Sequence, residues 1–511
     1  MKRYLYLTVF ISGMTALAAE FGASRLMQTI YGSSNLVWAS IIGLIMVYFA
    51  VGYRLGGRLA DRSPRPQTLF QILAWGALSL GLVPLIATPV LRAAAAAFDV
   101  LSFGVMLGSF AGTLILFSIP VTLLAMASPF AIRLLMDDAA NAGKTAGEVS
   151  SISTLGSVLG AFLPTLVFFS LIGTTLTFLL FAGILLLVAL GGLWLSSGSK
   201  AVLPFLIFPV VLVAAALLNN YRIKATPGQV YETESAYNYI EVLQNGETTY
   251  LRLNEGQGIH SEYNPKQLFY GGPWEEFLVG PLFLPGFDRA QVKRMAVVGL
   301  AAGTTARQAT ASYSGIQIDG YEIDPKIVEV GRKYFDMNQP NLNVYITDGR
   351  WGLEHSPYKY DLIAVDAYRP PYIPPHLTTR EFFAICAAHL TENGVLAINI
   401  GRSPQDRRLI NDLAATVGTS LPNVQVIDIP NTFNSILYAA RQPLSAEVLL
   451  ANTLALGADP QAAPLLVTAA QVAYTSLQPA PSGGQVYTDD RSPIEWVTNR
   501  LVINYILSGA E

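Results

Sequence analysis

The chain has 511 residues, of which 52% are hydrophobic and only 13% are charged, a balance that predicts a membrane-embedded part. Residues 1–222 contain 12 Lys/Arg against 6 Asp/Glu, whereas residues 223–511 contain 20 against 29. The acidic second half argues against a nucleic-acid partner, the single Cys386 excludes an intrachain disulfide, and four scattered histidines argue against a zinc site, so no metal is expected.

Seven apolar stretches of about 20 residues each predict membrane-spanning helices within residues 1–222. They lie near residues 5–27, 36–56, 68–91, 100–126, 151–172, 175–195 and 202–218. This pattern is typical of a multi-pass helical protein of a bacterial inner membrane, with the lipid bilayer as its partner. Glu20 lies at membrane depth, where a charge is costly, and it indicates either a polar cavity or a side chain that reaches the interface.

The hydrophobic pattern changes after residue 222. The segment YNYIEVLQNGETTYLRLNEG alternates polar and apolar residues around Asn245-Gly246, which predicts a hairpin in a small antiparallel β subdomain and connector over residues 223–285. Over residues 286–511, apolar strands such as RMAVVGL, YDLIAVDA and GVLAINI alternate with helical segments. Such alternation predicts an α/β Rossmann-like domain of the methyltransferase type with a mostly parallel sheet.

Polar or small residues follow four of these predicted strands. In chain order they are Gly299 and Gly303, Glu322, Asp348 with Gly349, and Asp366. Because ligands of open α/β sheets bind beyond the carboxyl ends of the strands, we expect these loops to form one nucleoside site. The glycine turn would admit a phosphate or nucleoside to the backbone, and acids would accept from ribose hydroxyls and an adenine amine. Singly, Glu322 or Asp324 would also suit the N-cap of the following helix, and Asp348 would also suit a turn.

Residues 229–400 resemble the spermidine synthase (polyamine aminopropyltransferase) family, and the whole chain resembles its membrane-fused members. The matching motifs are SAYNYIEV, the glycine turn, YEID, TDG, YDLIAVDAYRPPYIPPHLTTREFF and TDDRSPIEW. The resemblance implies a transferase whose substrate is decarboxylated S-adenosylmethionine and whose nucleoside product is methylthioadenosine. It also implies a polyamine acceptor and a homodimer.

The resemblance assigns roles to individual residues. It implies cofactor contacts at Asn238, Gln257, Gly299, Gly303, Glu322, Asp348 and Gly349. Gln257 lies within one residue of a polar family position. Asp366 occupies the position of the catalytic aspartate, the general base that takes a proton from the attacking amine.

The sequence also departs from the family pattern. Where the family has GGGDGG this chain has GLAAGT, so Ala302 replaces the acid that faces the amino group of the decarboxylated cofactor. The motif D-S-x-D becomes Asp366-Ala367-Tyr368-Arg369, and Arg369 replaces the second acid by a permanent cation. These changes favour S-adenosylmethionine itself, whose carboxylate an arginine would pair with. Candidates for binding the substrate or its amino-acid tail are Trp274, Glu275, Glu276, Tyr368 and Arg369.

Three functions therefore stay open. The first is aminopropyl transfer, with Asp366 as base. The second uses intact S-adenosylmethionine, either for methyl transfer or for a lyase reaction in which the ligand's own carboxylate attacks. The third is a nucleoside-binding sensor or transporter without turnover, for which a polar cavity around Glu20 would be the distinguishing feature.

The membrane side of the C-terminal half depends on the number of spans. The positive-inside rule assigns to the cytoplasm Lys2 and Arg3 together with Arg54, Arg58, Arg62 and Arg65. Seven spans would then place the C-terminal half outside the cytoplasm, where adenosyl sulfonium compounds are not made. We expect residues 89–135 to form two spans around Gly108 to Gly112, which gives eight spans and a cytoplasmic catalytic domain.

Overall fold

The computed structural model divides the chain into two compact units. The residues that the structure describes are 1–31, 35–98, 104–136, 138, 141–218, 224, 226–254, 258–368, 372–403 and 406–507. The first unit comprises Met1–Ala225, Glu232–Tyr239 and Asn254–Gly256. The second unit comprises Thr226–Tyr231, Ile240–Leu253 and Gln257–Glu511.

The first unit is helical. Its helices are α1 (Lys2–Tyr31), α2 (Asn35–Arg62), α3 (Pro66–Phe98), α4 (Gly104–Ala125), α5 (Ala127–Leu135), α6 (Ala142–Leu163), α7 (Phe169–Ser197), α8 (Ser199–Val202) and α9 (Ile207–Leu218). Within the described ranges, seven helical stretches are long and apolar enough to cross a membrane. They are Lys2–Tyr31, Val37–Arg62, Pro66–Ala94, Leu107–Leu135, Ala142–Phe168, Leu171–Ser197 and Ser199–Leu217. The seven predicted helices are confirmed.

The expected turn at Gly108 to Gly112 is wrong, because α4 continues through it. A Cβ atom added to Gly108 would lie 2.7 Å from the Tyr31 ring, and one added to Gly112 would lie 2.5 Å from the Leu91 side chain. These glycines therefore allow neighbouring helices to approach each other closely. The structure therefore does not support eight spans by this route, and the cytoplasmic placement of the catalytic domain stays a prediction.

Residues beyond the last helix also belong to the first unit. Arg25 of α1 donates a hydrogen bond from Nη2 to the Ala236 carbonyl, at 2.7 Å. The Glu234 carboxylate accepts from the backbone N–H and the hydroxyl of Thr174, both at 2.6 Å, beside the kink at Gly173 in α7. Glu20 has a buried Oε2 with no hydrogen-bond partner among the described residues.

A small sheet follows the helices. Its strands are β1 (Gln229–Glu234), β2 (Tyr239–Asn245), β3 (Thr248–Leu253) and β4 (Ile259–Tyr263), in the order β1-β2-β3-β4. Strands β2 and β3 pair in antiparallel register from Ile240↔Leu253 to Asn245↔Thr248. Gly246 lies in the connecting turn with φ +59, a conformation that favours glycine. The predicted hairpin is confirmed.

The second unit contains a seven-stranded sheet with helices on both faces. Its strands are β5 (Arg294–Val298), β6 (Gln317–Glu322), β7 (Leu342–Ile346), β8 (Tyr360–Val365), β9 (Leu390–Gly401), β10 (Asn423–Asp428) and β11 (Asn434–Ala440). Its helices are α10 (Pro273–Glu276), α11 (Thr304–Ser312), α12 (Pro325–Tyr334), α13 (Gly349–Glu354), α14 (Arg380–His389), α15 (Arg408–Gly418), α16 (Ala446–Ala458), α17 (Pro464–Thr475) and α18 (Ile494–Leu507).

The strand order is β10-β11-β9-β8-β5-β6-β7. Strands β5 to β9 run parallel, and β11 is antiparallel to both β9 and β10. Alternate residues of the same strand enter different apolar cores: Met295 and Val297 pack in one, Ala296 and Val298 in the other. The predicted Rossmann-like architecture of the methyltransferase type is confirmed.

Candidate functional site

Strands β5 and β8 end side by side at the centre of the sheet, where the strand order reverses. The backbone N–H of Asp366 donates to the Val298 carbonyl at 2.9 Å. Gly299 follows β5 with φ +88, and a Cβ atom there would lie 2.6 Å from the Asp366 carbonyl oxygen. Glycine is thus required for the two strand ends to approach. This is the switch point at which open α/β sheets bind ligands.

The glycine turn continues from Gly299 into α11. Gly303 caps this helix with φ +85, and a Cβ atom there would lie 2.5 Å from Met337. Ala301 adopts φ +49, a left-handed conformation that costs a residue with a side chain about 1–2 kcal/mol. Ala302, expected to mark a missing carboxylate in the pocket, is buried in an apolar cluster with Ile240 and other residues.

Glu322, at the end of β6, faces the glycine turn. Its Oε2 accepts from the Ala301 N–H at 2.9 Å, and its Oε1 accepts from the Asp324 N–H at 3.1 Å. Burial raises the pKa of Glu322 to about 7, although these hydrogen bonds oppose the rise. The cap of α12 is Asp324, whose Oδ1 accepts from the Lys326 N–H at 3.0 Å. Glu322 is therefore not the helix cap, which leaves it available to a ligand.

Asp348 follows β7 and caps α13. Its Oδ1 accepts from the Arg350 and Trp351 N–H groups, each at 3.0 Å, so this oxygen caps the helix, where the sequence suggested a turn as the alternative to a ligand contact. Its Oδ2 lies 2.8 Å from His376 Nε2, and that hydrogen bond lowers the pKa of Asp348. A Cβ atom on Gly349 would lie 2.5 Å from Val298 Cγ1, so glycine here lets the third loop pack against β5.

Asp366 is the acid at the end of β8. Its Oδ1 accepts a hydrogen bond from Asn399 Nδ2 at 2.8 Å. The side chain is partly exposed at the cleft, yet the surrounding protein desolvates it and raises its pKa to about 7, with the Asn399 hydrogen bond opposing that rise. A carboxylate with such a pKa exchanges protons readily near neutral pH, as a general base must.

Asn399 was not among the residues singled out from the sequence. It lies near the end of β9, and its Oδ1 is buried without a hydrogen-bond partner in the part of the chain that the structure describes. Tyr368 is held nearby, because its hydroxyl donates to the Asn399 carbonyl at 3.2 Å and accepts from the Gly401 N–H at 2.7 Å. The signal that could have identified Asn399 in the sequence is that it is a polar amide within the otherwise apolar strand GVLAINI.

The two glutamates of α10 do not form an open cation site. Glu275 Oε1 accepts from the backbone N–H groups of residues 270, 271 and 272 at 2.9, 2.5 and 3.1 Å, and its Oε2 accepts from Gln308 Nε2 at 3.0 Å. Its carboxylate therefore closes a loop. Trp274 and Glu276 are both buried, and burial raises the pKa of Glu276 well above the ordinary value. The Glu276 carboxyl group is therefore not exposed to a cation in solution.

The four predicted loops come together around the end of β5: the glycine turn contacts Glu322, and Asp366 and Gly349 both pack against Val298. Asn238 belongs to the first unit, where its Oδ1 accepts from Asn254 Nδ2 at 3.0 Å. Gln257 and Arg369 lie outside the described residues, and their predicted roles stay predictions.

The sheet order and the acids at its switch point define a Rossmann-like domain of the methyltransferase type with an acidic cleft. Residues 282–437 match the spermine/spermidine synthase domain, so the C-terminal region carries a domain of this kind. The chain is 32% identical over 220 residues to a probable polyamine aminopropyl transferase of Bifidobacterium longum, covering 42% of this chain and 48% of that protein.

One more relative and one solved structure are similar to parts of this chain. A polyamine aminopropyltransferase of Vibrio vulnificus is 30% identical over 211 residues, which cover 37% of this chain and 66% of that protein. A crystal structure of a probable spermidine synthase from Corynebacterium glutamicum aligns over 51% of this chain and 98% of that one, with 20% identity and a TM-score of 0.39. The chain spans less than two thirds of either curated relative.

Proposed function

We propose that the protein is an enzyme that acts on an adenosyl sulfonium, either S-adenosylmethionine or its decarboxylated form. An amine nitrogen attacks the carbon next to the sulfonium, the C–S bond breaks, and its electron pair stays on sulfur in methylthioadenosine. Asp366 takes the proton that the nitrogen loses. The observation that carries the proposal is the position of Asp366, with a pKa of about 7, beside the turn that contacts Glu322.

The remaining acids bind the nucleoside in this proposal. Glu322 keeps acceptor positions for the ribose hydroxyls, and Asp348 keeps one for an adenine amine, because an ionised carboxylate offers about four lone-pair sites. Gly299 and Gly303 let the ligand approach the backbone. A polyamine is the acceptor implied by the names of the relatives, and a homodimer is the assembly that we propose with it.

A second candidate uses intact S-adenosylmethionine for methyl transfer or a lyase reaction. Two observations favour it over polyamine chemistry: Ala302 is buried among apolar side chains, and Glu275 is occupied by a loop. The acid that would face the amino group of the decarboxylated cofactor is thus replaced, and Glu275, which could hold a cationic acceptor, is engaged by the loop. In the lyase reaction the ligand's own carboxylate attacks, so that no external base is needed.

We also propose that the first unit is embedded in a membrane, because seven of its described helical stretches suffice in length and hydropathy. It contains a cavity of about 370 Å³ lined by seven side chains that carry a hydroxyl group: Ser12, Tyr53, Ser128, Ser150, Ser153, Thr154 and Ser157. Glu20 does not line this cavity, so a polar cavity around Glu20 stays a prediction. The hydroxyl-lined cavity and, separately, the Glu20 Oε2, which has no hydrogen-bond partner among the described residues, favour a third candidate, a nucleoside-gated transporter or sensor.

One experiment separates these candidates. Purified protein is incubated with S-adenosylmethionine or its decarboxylated form, with and without putrescine, and the nucleoside product is identified. We expect methylthioadenosine; S-adenosylhomocysteine would indicate methyl transfer, and methylthioadenosine from S-adenosylmethionine alone would indicate a lyase. Absence of any product, combined with nucleoside binding, would contradict both enzyme candidates and support the third.

Asp366→Asn tests the base. We expect loss of aminopropyl transfer by roughly 10²–10⁴-fold, the usual contribution of a general base. Asp490→Asn is the matched control, because Asp490 is exposed. A lyase would keep its activity in Asp366→Asn, so the same variant distinguishes the two reactions.

A further inference from the structure

A hydrogen-bonded network connects Asp348 with a segment near the C-terminus. His376 Nε2 lies 2.8 Å from Asp348 Oδ2, and Arg350 Nη1 donates to the His376 carbonyl at 3.2 Å. The two terminal nitrogens of Arg350 donate to the two carboxylate oxygens of Asp489, each at 2.7 Å. This bidentate pair, the strong geometry for arginine and a carboxylate, lowers the pKa of Asp489 to about 2. Arg350 thus joins the His376 backbone to Asp489.

The segment around Asp489 is itself fastened to the start of α14. Asp489 Oδ1 also accepts from the Thr379 hydroxyl at 2.7 Å, and the Arg380 N–H donates to the Tyr487 carbonyl at 3.0 Å. The hydroxyls of Thr378 and Ser492 lie 2.9 Å apart. Residues 487–492 (YTDDRS) therefore hold the chain that presents His376.

The contacts of Asp348 limit how it meets a ligand. Of its roughly four lone-pair sites, described donors occupy three: two backbone N–H groups on Oδ1 and His376 on Oδ2. The remaining site is on Oδ2, whose orientation His376 determines. An acceptor fixed in this way suits a purine that carries a 6-amino group and opposes one that carries a 6-oxo group, because two acceptors would then face each other without a proton.

We propose that His376 is a positioning residue that orients the Asp348 carboxylate toward the adenine amine, and that the Arg350–Asp489 pair holds His376 in place. The inference rests on the proposed nucleoside site and adds its selectivity: 6-aminopurine nucleosides bind and 6-oxopurine nucleosides are rejected. His376 acts through Asp348 and takes no part in the reaction itself.

The test measures the affinity of the purified full-length protein for methylthioadenosine and methylthioinosine by calorimetry. His376→Ala should weaken methylthioadenosine binding about tenfold, as expected for losing a hydrogen bond to a charged group, and should narrow the difference between the two nucleosides. His376→Gln, which restores an N–H donor, should recover most of the affinity. His389→Ala, on the end of α14, is the matched control and should bind as the wild type does.

A second variant provides a test that does not depend on whether His376→Ala folds. Asp489→Asn weakens the pair with Arg350 while leaving His376 and Asp348 unchanged, and we expect about threefold weaker binding of methylthioadenosine. Wild-type affinity and selectivity in both variants would overturn the role of His376. Failure of the wild-type protein to bind either nucleoside would instead overturn the proposed function.

Discussion

The two units use glycine for different physical reasons. In the helical unit, Cβ atoms on Gly156 and Gly160 of α6 would lie 2.0 Å from the Phe10 carbonyl oxygen and 2.1 Å from that of Met14. These glycines let the backbones of neighbouring helices approach each other closely. In a lipid bilayer such close packing is a main source of helix association, because burying apolar surface between helices gives no hydrophobic gain there. In the α/β unit, Gly299 follows β5 and Gly303 caps α11, and both adopt positive φ in the turn that connects them.

The carboxylates at the strand ends of the α/β unit and Glu20 of the helical unit differ in their hydrogen bonding. Each carboxylate of the α/β site has described donors that hold it, as Ala301 holds Glu322 and Asn399 holds Asp366. Glu20 in the helical unit has an oxygen without such a donor among the described residues. Pre-oriented acids suit chemistry on one bound ligand, whereas a carboxyl without a partner suits transient contact with a passing solute. The comparison predicts a fixed site in one unit and a variable one in the other.

The largest effect that we predict concerns the membrane side of the α/β unit, because its outcome is all or none. If all seven apolar stretches of the described residues cross a membrane and Arg54, Arg58 and Arg62 lie in the cytoplasm, the chain after the last span lies on the opposite face. A periplasmic reporter enzyme fused after Glu511 should therefore be active, and a cytoplasmic fluorescent reporter fused there should be dark.

The opposite result, an inactive periplasmic reporter and a fluorescent cytoplasmic one, would contradict this topology. It would require one of the seven stretches to re-enter the membrane without crossing it. It would also place the site where S-adenosylmethionine is made. The expected pattern would favour a nucleoside that arrives from outside the cytoplasm. Reporters fused after residue 64, beside the arginines, provide the control for the cytoplasmic side.

The next largest effect should come from Gly299→Ala. Strain at φ +88 costs about 1–2 kcal/mol, and crowding against the Asp366 carbonyl adds roughly 1–3 kcal/mol. Gly315→Ala is the matched control, because Gly315 has φ +74 with no atom within 4 Å of the added Cβ and should show the strain alone. Thermal unfolding and nucleoside affinity are measured for both variants. If Gly299→Ala and Gly315→Ala had equal effects, the ends of β5 and β8 would be able to move apart without cost.

We expect a smaller effect on the stability of the helical unit from glycine-to-alanine changes in α6. The effect should have opposite signs at two positions of this helix. Gly156→Ala should destabilise α6 by roughly 1–3 kcal/mol, because the methyl group meets the Phe10 backbone. Gly147→Ala meets nothing within 4 Å and should be neutral or stabilising by up to about 1 kcal/mol, the helix propensity of alanine over glycine. Thermal stability in detergent is the measurement. Stabilisation by both variants would contradict close packing of α1 and α6.

Local patterns in the sequence predicted the helices and strands better than they predicted the contacts within the candidate site. Hydropathy and strand-helix alternation are properties of neighbouring residues, so the seven helices and the α/β sheet were predictable. Asn399 meets Asp366 across 33 residues and His376 meets Asp348 across 28, and no local pattern encodes such a pair. An acid that closes a loop, as Glu275 does, and an acid that binds a cation look alike in sequence.

The smallest effect that we predict concerns Asn399→Ala. The Asn399 amide stabilises the charged form of Asp366, so its removal should raise the pKa of Asp366 further above its present value of about 7. The base works only when deprotonated, and activity is therefore lost as pH falls through this pKa. The acid limb of the pH–rate profile should move to higher pH by about one unit, the equivalent of one hydrogen bond to a charged group. Asn338→Ala, at an exposed turn, should leave the profile unchanged. A lower rate at every pH with an unmoved limb would show that Asn399 supports the fold of the α/β unit without tuning Asp366.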